Sequence, residues 1–207
     1  MNSMSDGFVH WYHRGWDANR ADSVLRALDG QGLMLGNPST GLISTVTNGP
    51  VSWGEQVFVA RAELMGAAGL SGIDEVNFQF WLDGDTDVFT RMRRCSGSDV
   101  IALEFGLDGM SQVQQSHVVR AVSSEIEARR EACMGFVVDQ RGVSEDEDWE
   151  GVILGGLPRR GLWPDRFALR SEETVRHPEL SGLIGRQEPP LVVFHRPSDP
   201  DSDRAWA

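Results

Sequence analysis

Two histidines three positions apart, His10 and His13 in HWYHRGWD, are the side chains best suited by type to metal binding or to proton transfer near neutral pH. On a helix that spacing brings both rings to one face. On a strand, residues of opposite parity point to opposite faces, and Phe8 to His13 reads as a strand, so the pair is expected to be split. With Trp11, Tyr12 and Trp16, the histidines could still make an aromatic wall carrying a few polar groups. That composition suits a small ligand or a substrate, and it is the alternative functional reading of this sequence.

Carboxylates form the other candidates. Asp83, Asp85 and Asp87 resemble the opening of a calcium loop, but the glycine and the bidentate acid such a loop needs are replaced by Val88 and Arg94. An Asp-rich hairpin turn accounts for them. The run Glu145 to Glu150, with Glu145, Asp146 and Glu147 at its head, could face a basic partner, or could simply sit at a helix N-terminus, where negative charge is favoured. Asp139 ends an apolar strand, a position where open α/β sheets place catalytic acids, although Arg141-Gly142 after it suits an ordinary turn. Common signatures are missing: there is no GxxxxGKS/T loop, no GxGxxG after a strand, no HExxH, no GxSxG and no CxxC. Neither a metal nor a cofactor is expected.

Composition narrows the classes further. With 207 residues, 40% hydrophobic and 24% charged, the chain can bury a sizeable core. Every cation other than histidine is arginine, which reads as the codon bias of a high-GC bacterial genome such as an actinobacterial one. The net charge of −12 argues against nucleic acid as a partner, since Arg93-Arg94, Arg129-Arg130 and Arg159-Arg160 are pairs and not basic runs. The N-terminal residues MNSMSDGFVH lack the pattern of a signal peptide, and no apolar run reaches the roughly 20 residues of a membrane span, so the cytoplasm is the expected location. Cys95 and Cys133 have neither disulfide-framework nor zinc spacing.

The elements that must position these residues are clearest from Glu75 to Asp139. Val76, Phe78, Phe80 and Leu82 alternate with Asn77, Gln79 and Trp81, and after an Asp-rich turn Val88, Thr90 and Met92 alternate with Phe89, Arg91 and Arg93. Pairing the two apolar sets requires an odd loop of three or five residues. A third strand, Asp99 to Phe105, turns Ile101, Leu103 and Phe105 inward and Val100, Ala102 and Glu104 outward, with Met92 expected opposite Ile101, Phe89 opposite Glu104 and Arg91 diagonal to it. Ser111-Gln112-Val113-Gln114 is a capping box opening a helix to about Ala132, with Glu125 and Arg129 as an i,i+4 pair, and Cys133 to Val138 is a buried strand.

Earlier in the chain, Asp17 is the expected cap of a helix carrying Ala21, Val24, Leu25 and Leu28. Gly32 to Leu35 and Leu42 to Thr47 are strand candidates, and Ser52-Trp53-Gly54-Glu55 suggests a helix through Val57, Ala60, Leu64 and Ala68. A third box at Ser144 to Glu147 suggests a short helix. The prolines beyond Leu157 leave room for short strands at Phe167 to Arg170 and Leu191 to His195. The expected fold is α+β: a mainly antiparallel mixed sheet with a β-β-β-α-β core over residues 75–139 and helices packed on it. The expected organisation is one domain over 1–156, divisible into lobes 1–72 and 73–156, followed by a Pro-rich extension over 157–207, disordered beyond Pro197.

These observations lead first to a binding protein and not an enzyme. In class the chain is similar to acidic α+β inhibitor and immunity proteins that cap a toxin. Its expected partner is a basic protein or a second copy of itself, met by Trp81, Phe89, Arg91, Arg93 and Glu104 on the outer sheet face and by Glu145, Asp146 and Glu147.

Overall fold

A computed structural model describes residues 7–49, 53–158 and 161–196. The chain is α+β: within the described residues, ten strands form one sheet in the order β3-β2-β4-β5-β6-β1-β7-β8-β10-β9, and every ladder in it is antiparallel. The strands are β1 Phe8–Arg14, β2 Ile43–Asn48, β3 Trp53–Val59, β4 Glu75–Trp81, β5 Asp87–Arg94, β6 Val100–Gly106, β7 Cys133–Asp139, β8 Arg166–Arg170, β9 Gly185–Glu188 and β10 Leu191–His195. Four α-helices pack on the sheet: α1 Ala18–Gly30, α2 Arg61–Ala68, α3 Gln112–Ala128 and α4 Trp149–Gly155.

The first strand of the chain lies at the centre of the sheet, between β6 and β7, and its alternation separates two cores. Val9 and Trp11 join the larger core beneath α1, α2 and α3, together with Phe78, Phe80, Phe105 and the four apolar residues of α1. Phe8 and Tyr12 point the other way, into a smaller core with Trp149, Val152 and Ile153 of α4 and with Phe167 and Phe194. Gly135 of β7 makes the approach of α4 possible, since a Cβ there would stand 2.6 Å from the Ala168 carbonyl oxygen and 2.8 Å from Ile153 Cγ2.

The hairpin parity holds. Trp81 pairs with Asp87 across five loop residues, setting Phe80 opposite Val88, Phe78 opposite Thr90 and Val76 opposite Met92. The next register is two residues away from the expected one: Met92 faces Leu103, and Arg91, not Phe89, faces Glu104. The cause is the turn. Ser98 Oγ receives the Val100 N–H, Cys95 N–H bonds the Val100 carbonyl, and Gly97 takes a φ of +69°, so four residues close the loop and parity survives while pairing slides. Val100 and Ala102, expected outside, are buried in the smaller core because this stretch of β6 is covered on both faces.

Asp17 caps α1 by accepting from the Arg20 N–H at 2.8 Å, and Ser111 with Gln114 forms the capping box of α3. The expected helix at Val57 is a strand instead: β-branched and aromatic Val57-Phe58-Val59 pair with β2, and the helix starts at Arg61, where Glu63 accepts from the Ala60 N–H. Ser52 lies outside the described residues. The box at Ser144 also dissolves, because Ser144 donates both its N–H and its hydroxyl to Asp139 at 2.7 Å, leaving Asp148 to cap α4. Gly32 to Leu35 contributes only an isolated bridge from Met34 to Trp81. Both short strands expected in the proline-bearing stretch form, as β8 and β10, and they extend the same sheet. The pair Arg159-Arg160 and the residues from Pro197 onward lie outside the described residues.

Candidate functional site

The face of the sheet opposite α1, α2 and α3 is covered unequally. α4 and the segment around Leu180 close it over β1, β7, β8 and β10, whereas over β2 to β5 the outward side chains are mainly polar or charged, the exceptions including Val46, Phe58, Trp81 and Phe89. Alternation explains the content: in β4 and β5 the apolar half of each strand faces the helices, so Glu75, Asn77, Gln79, Phe89, Arg91 and Arg93 are turned outward.

Those side chains form one connected ladder. Glu75 accepts from Asn48 at 3.0 Å, from Asn77 at 3.1 Å and from Arg91 Nη2 at 2.6 Å; Arg91 also lies 3.6 Å from Glu104. Glu104 receives Arg93 Nε at 2.7 Å, and Arg93 reaches on to Glu150 of α4, whose other oxygen accepts the Ser96 N–H at 2.9 Å. A second branch of amides and a hydroxyl links Gln56, Ser44 and Gln79 to the carboxylate of Asp87. Burial pushes the carboxyls of Glu75 and Glu150 up, but bonds from Arg91 and Arg93 respectively outweigh it and hold both below the usual carboxylate range. Glu75 and Glu150 are thus ionised at neutral pH, each held beside its arginine. Phe89 stands at its edge 42% exposed, and Phe58 of edge strand β3 is 59% exposed.

Of the residues expected at a partner surface, Phe89, Arg91, Arg93 and Glu104 share this face, and Trp81 lies on it half-buried beside Asp87. Glu145 and Asp146 are exposed in the turn before α4, and Glu147 accepts the Gly161 N–H at 2.7 Å. The sequence reading missed Glu75, which completes the ladder, and Phe58, which had been assigned to a helix. The alternation of Glu75 with Asn77 and Gln79 carried the signal for the former.

The HWYHRGWD run is divided as strand geometry requires. Trp11, His13 and Trp16 lie on the helix side, with His13 edge-on between the two indoles at 5.3 and 5.2 Å, and His10 and Tyr12 lie on the other. Trp16 Nε1 donates to the Ala68 carbonyl at 2.8 Å, tying the loop to α2. Trp11, Tyr12 and His13 are fully buried, so the run does not line one cavity. Burial and then the Arg93 and Arg91 cations push His10 down to about 3; burial and then Arg20 push His13 down to about 4. Both rings are neutral at physiological pH. Burial raises both cysteine thiols to about 12, which leaves them protonated.

The Asp-rich hairpin is a turn: Asp83 Oδ1 accepts the N–H groups of Asp85 and Thr86 at 3.0 and 2.8 Å. Among the described residues no three metal-binding side chains converge, and no helix is long and apolar enough to cross a membrane. Neither a family model nor a curated protein matches the sequence. Among solved structures the fold is similar to that of a Pseudomonas aeruginosa T6SS protein, with a TM-score of 0.50 and 14% identity, covering 91% of this chain and 64% of that one. The chain therefore spans less than two thirds of that protein, and what the two share is a fold.

Proposed function

We propose that this chain is a cytoplasmic protein-interaction module of the immunity type, serving a type VI secretion context and holding a basic protein partner against the open sheet face. The observation that carries the reading is the ladder of ion pairs from Glu75 to Glu150, pre-organised on the open part of the sheet and flanked by exposed Phe89 and Phe58. An interface works best when its aromatic anchors sit beside polar groups already locked in place, because less side-chain freedom is lost on binding. The net charge of −12 speeds encounter with a basic protein, and the likeness to a T6SS protein supports the same context.

The test is co-purification and calorimetry of the full chain with the basic proteins encoded beside its gene, at low and high salt. A complex whose association slows with salt, and which Phe89→Ala weakens by about tenfold or more, upholds the reading. No complex with any of them at any salt concentration overturns it.

A further inference from the structure

On the helix side of the sheet, α3 stops short of the last strands and leaves a cleft against β8, β10 and β9. Its inner part is a cavity of about 140 Å³ lined by Ser123, Phe136, Arg166, Arg186 and His195, among others, and it opens into a shallower depression that shares Ser123, Arg166 and His195 and adds Arg120. In a chain of net charge −12, this lining holds four arginines and three carboxylates.

The carboxylates are already engaged. Asp165 accepts from the Gln140 N–H at 2.8 Å and from Arg141 Nε at 3.2 Å; Glu127 is paired with Arg130; Glu188 holds Arg130 and Arg186, each at 3.1 Å. Arg166 is left over. Its guanidinium lies 5.2 Å from the Phe136 ring centroid and donates through Nη2 to Ser123 Oγ at 2.6 Å, and it makes no ion pair among the described residues. Burial lowers its pKa against the opposing pull of Glu188, which raises it but forms no ion pair with it, so the guanidinium is stripped of water with only a distant anion to compensate. A guanidinium held over an aromatic ring, with a hydroxyl beside it and, among the described residues, no carboxylate paired to it, offers the fork geometry that phosphate oxygens match.

We infer that the cleft between α3 and the C-terminal strands is a phosphate-binding site in which Arg166 is the principal ligand, Ser123 and His195 supply further hydrogen bonds, and Arg120 closes the outer side. The site is on the opposite side of the sheet from the proposed partner face and stands or falls independently of it.

Titration of the full chain with inorganic phosphate, followed by amide chemical shifts at constant ionic strength with chloride as the control, reads the site. Saturable shifts centred on Ser123 and Arg166 are expected, weakened about tenfold or more by Arg166→Gln and less by Arg166→Lys, which keeps the charge but loses the fork. Ser123→Ala serves as a second variant should Arg166→Gln fail to fold, and it is expected to weaken binding severalfold. A parallel titration with phenyl phosphate separates the sources: tighter binding than phosphate assigns the site to a phosphorylated ligand, equal binding to the free ion. Absence of saturation at tens of millimolar phosphate, acetate binding as well as phosphate, or an unchanged affinity in folded Arg166→Gln and Ser123→Ala overturns the proposal.

Discussion

Acidification should unfold this protein through two histidines before its carboxylates titrate. His13 is fully buried, and His10 lies beneath the Arg91 and Arg93 cations; their folded pKa values are pushed down to about 4 and about 3 from an ordinary 6.5. As pH falls through 6.5 the unfolded chain takes up two protons that the folded chain refuses, so stability is complete above pH 6.5 and declines below it. The loss is about 1.4 kcal/mol per pH unit for each histidine. It continues until the folded rings titrate, near pH 4 for His13 and pH 3 for His10. Across the two units from pH 6.5 to 4.5 the pair removes about 5 kcal/mol, comparable with the whole stability of many domains. Glu125, raised by burial against the pull of Arg129, works in the opposite sense and trims the effect, whereas the lowered Glu75 and Glu150 contribute only at lower pH. Urea unfolding followed by tryptophan fluorescence at pH 7, 6 and 5, at constant ionic strength, measures the slope. His13→Phe, which keeps an aromatic ring between Trp11 and Trp16, should remove about 1.4 kcal/mol per pH unit from it. A wild type equally stable at pH 7 and pH 5, or a variant with an unchanged slope, refutes the reasoning.

Three further perturbations follow from the packing. Gly135→Ala sets a methyl group against the Ala168 carbonyl and Ile153, and should cost about 1–3 kcal/mol in denaturant unfolding. Arg93→Leu leaves Glu104 and Glu150 facing each other without their shared cation; because the pair is partly exposed, a loss of about 2 kcal/mol is expected, with faster hydrogen exchange in α4 than elsewhere. Asp139→Ala strips the acceptor from both the amide and the hydroxyl of Ser144 in a buried setting, and should lower stability by about 2–4 kcal/mol, seen as a fall in the urea midpoint at unchanged m-value.

The period-2 patterns of Glu75 to Trp81 and Asp87 to Arg94 were enough to assign faces, because strand alternation is a property of the backbone and needs no partner. Loop parity followed for the same reason, as did the split of His10 from His13. The caps at Asp17 and Ser111 were legible too, since a hydroxyl or carboxylate three residues before the amide that donates to it acts locally. Other features were settled by distant contacts. The exact register of β5 on β6 hung on which serine closed a turn. Trp53 to Val59 became a strand because β2 offered it a ladder, and Ser144 lost its cap role because Asp139 was within reach. No local signal places β1 between β6 and β7, since that neighbourhood joins segments roughly a hundred residues apart and only burial on both faces of the sheet selects it. The open polar face and an Arg166 without an ion pair among the described residues share this origin. Alternation made one face of β4 and β5 polar, but whether a helix would cover it, and which carboxylates would be spent on other arginines, was decided only by where α4 and the last three strands came to rest.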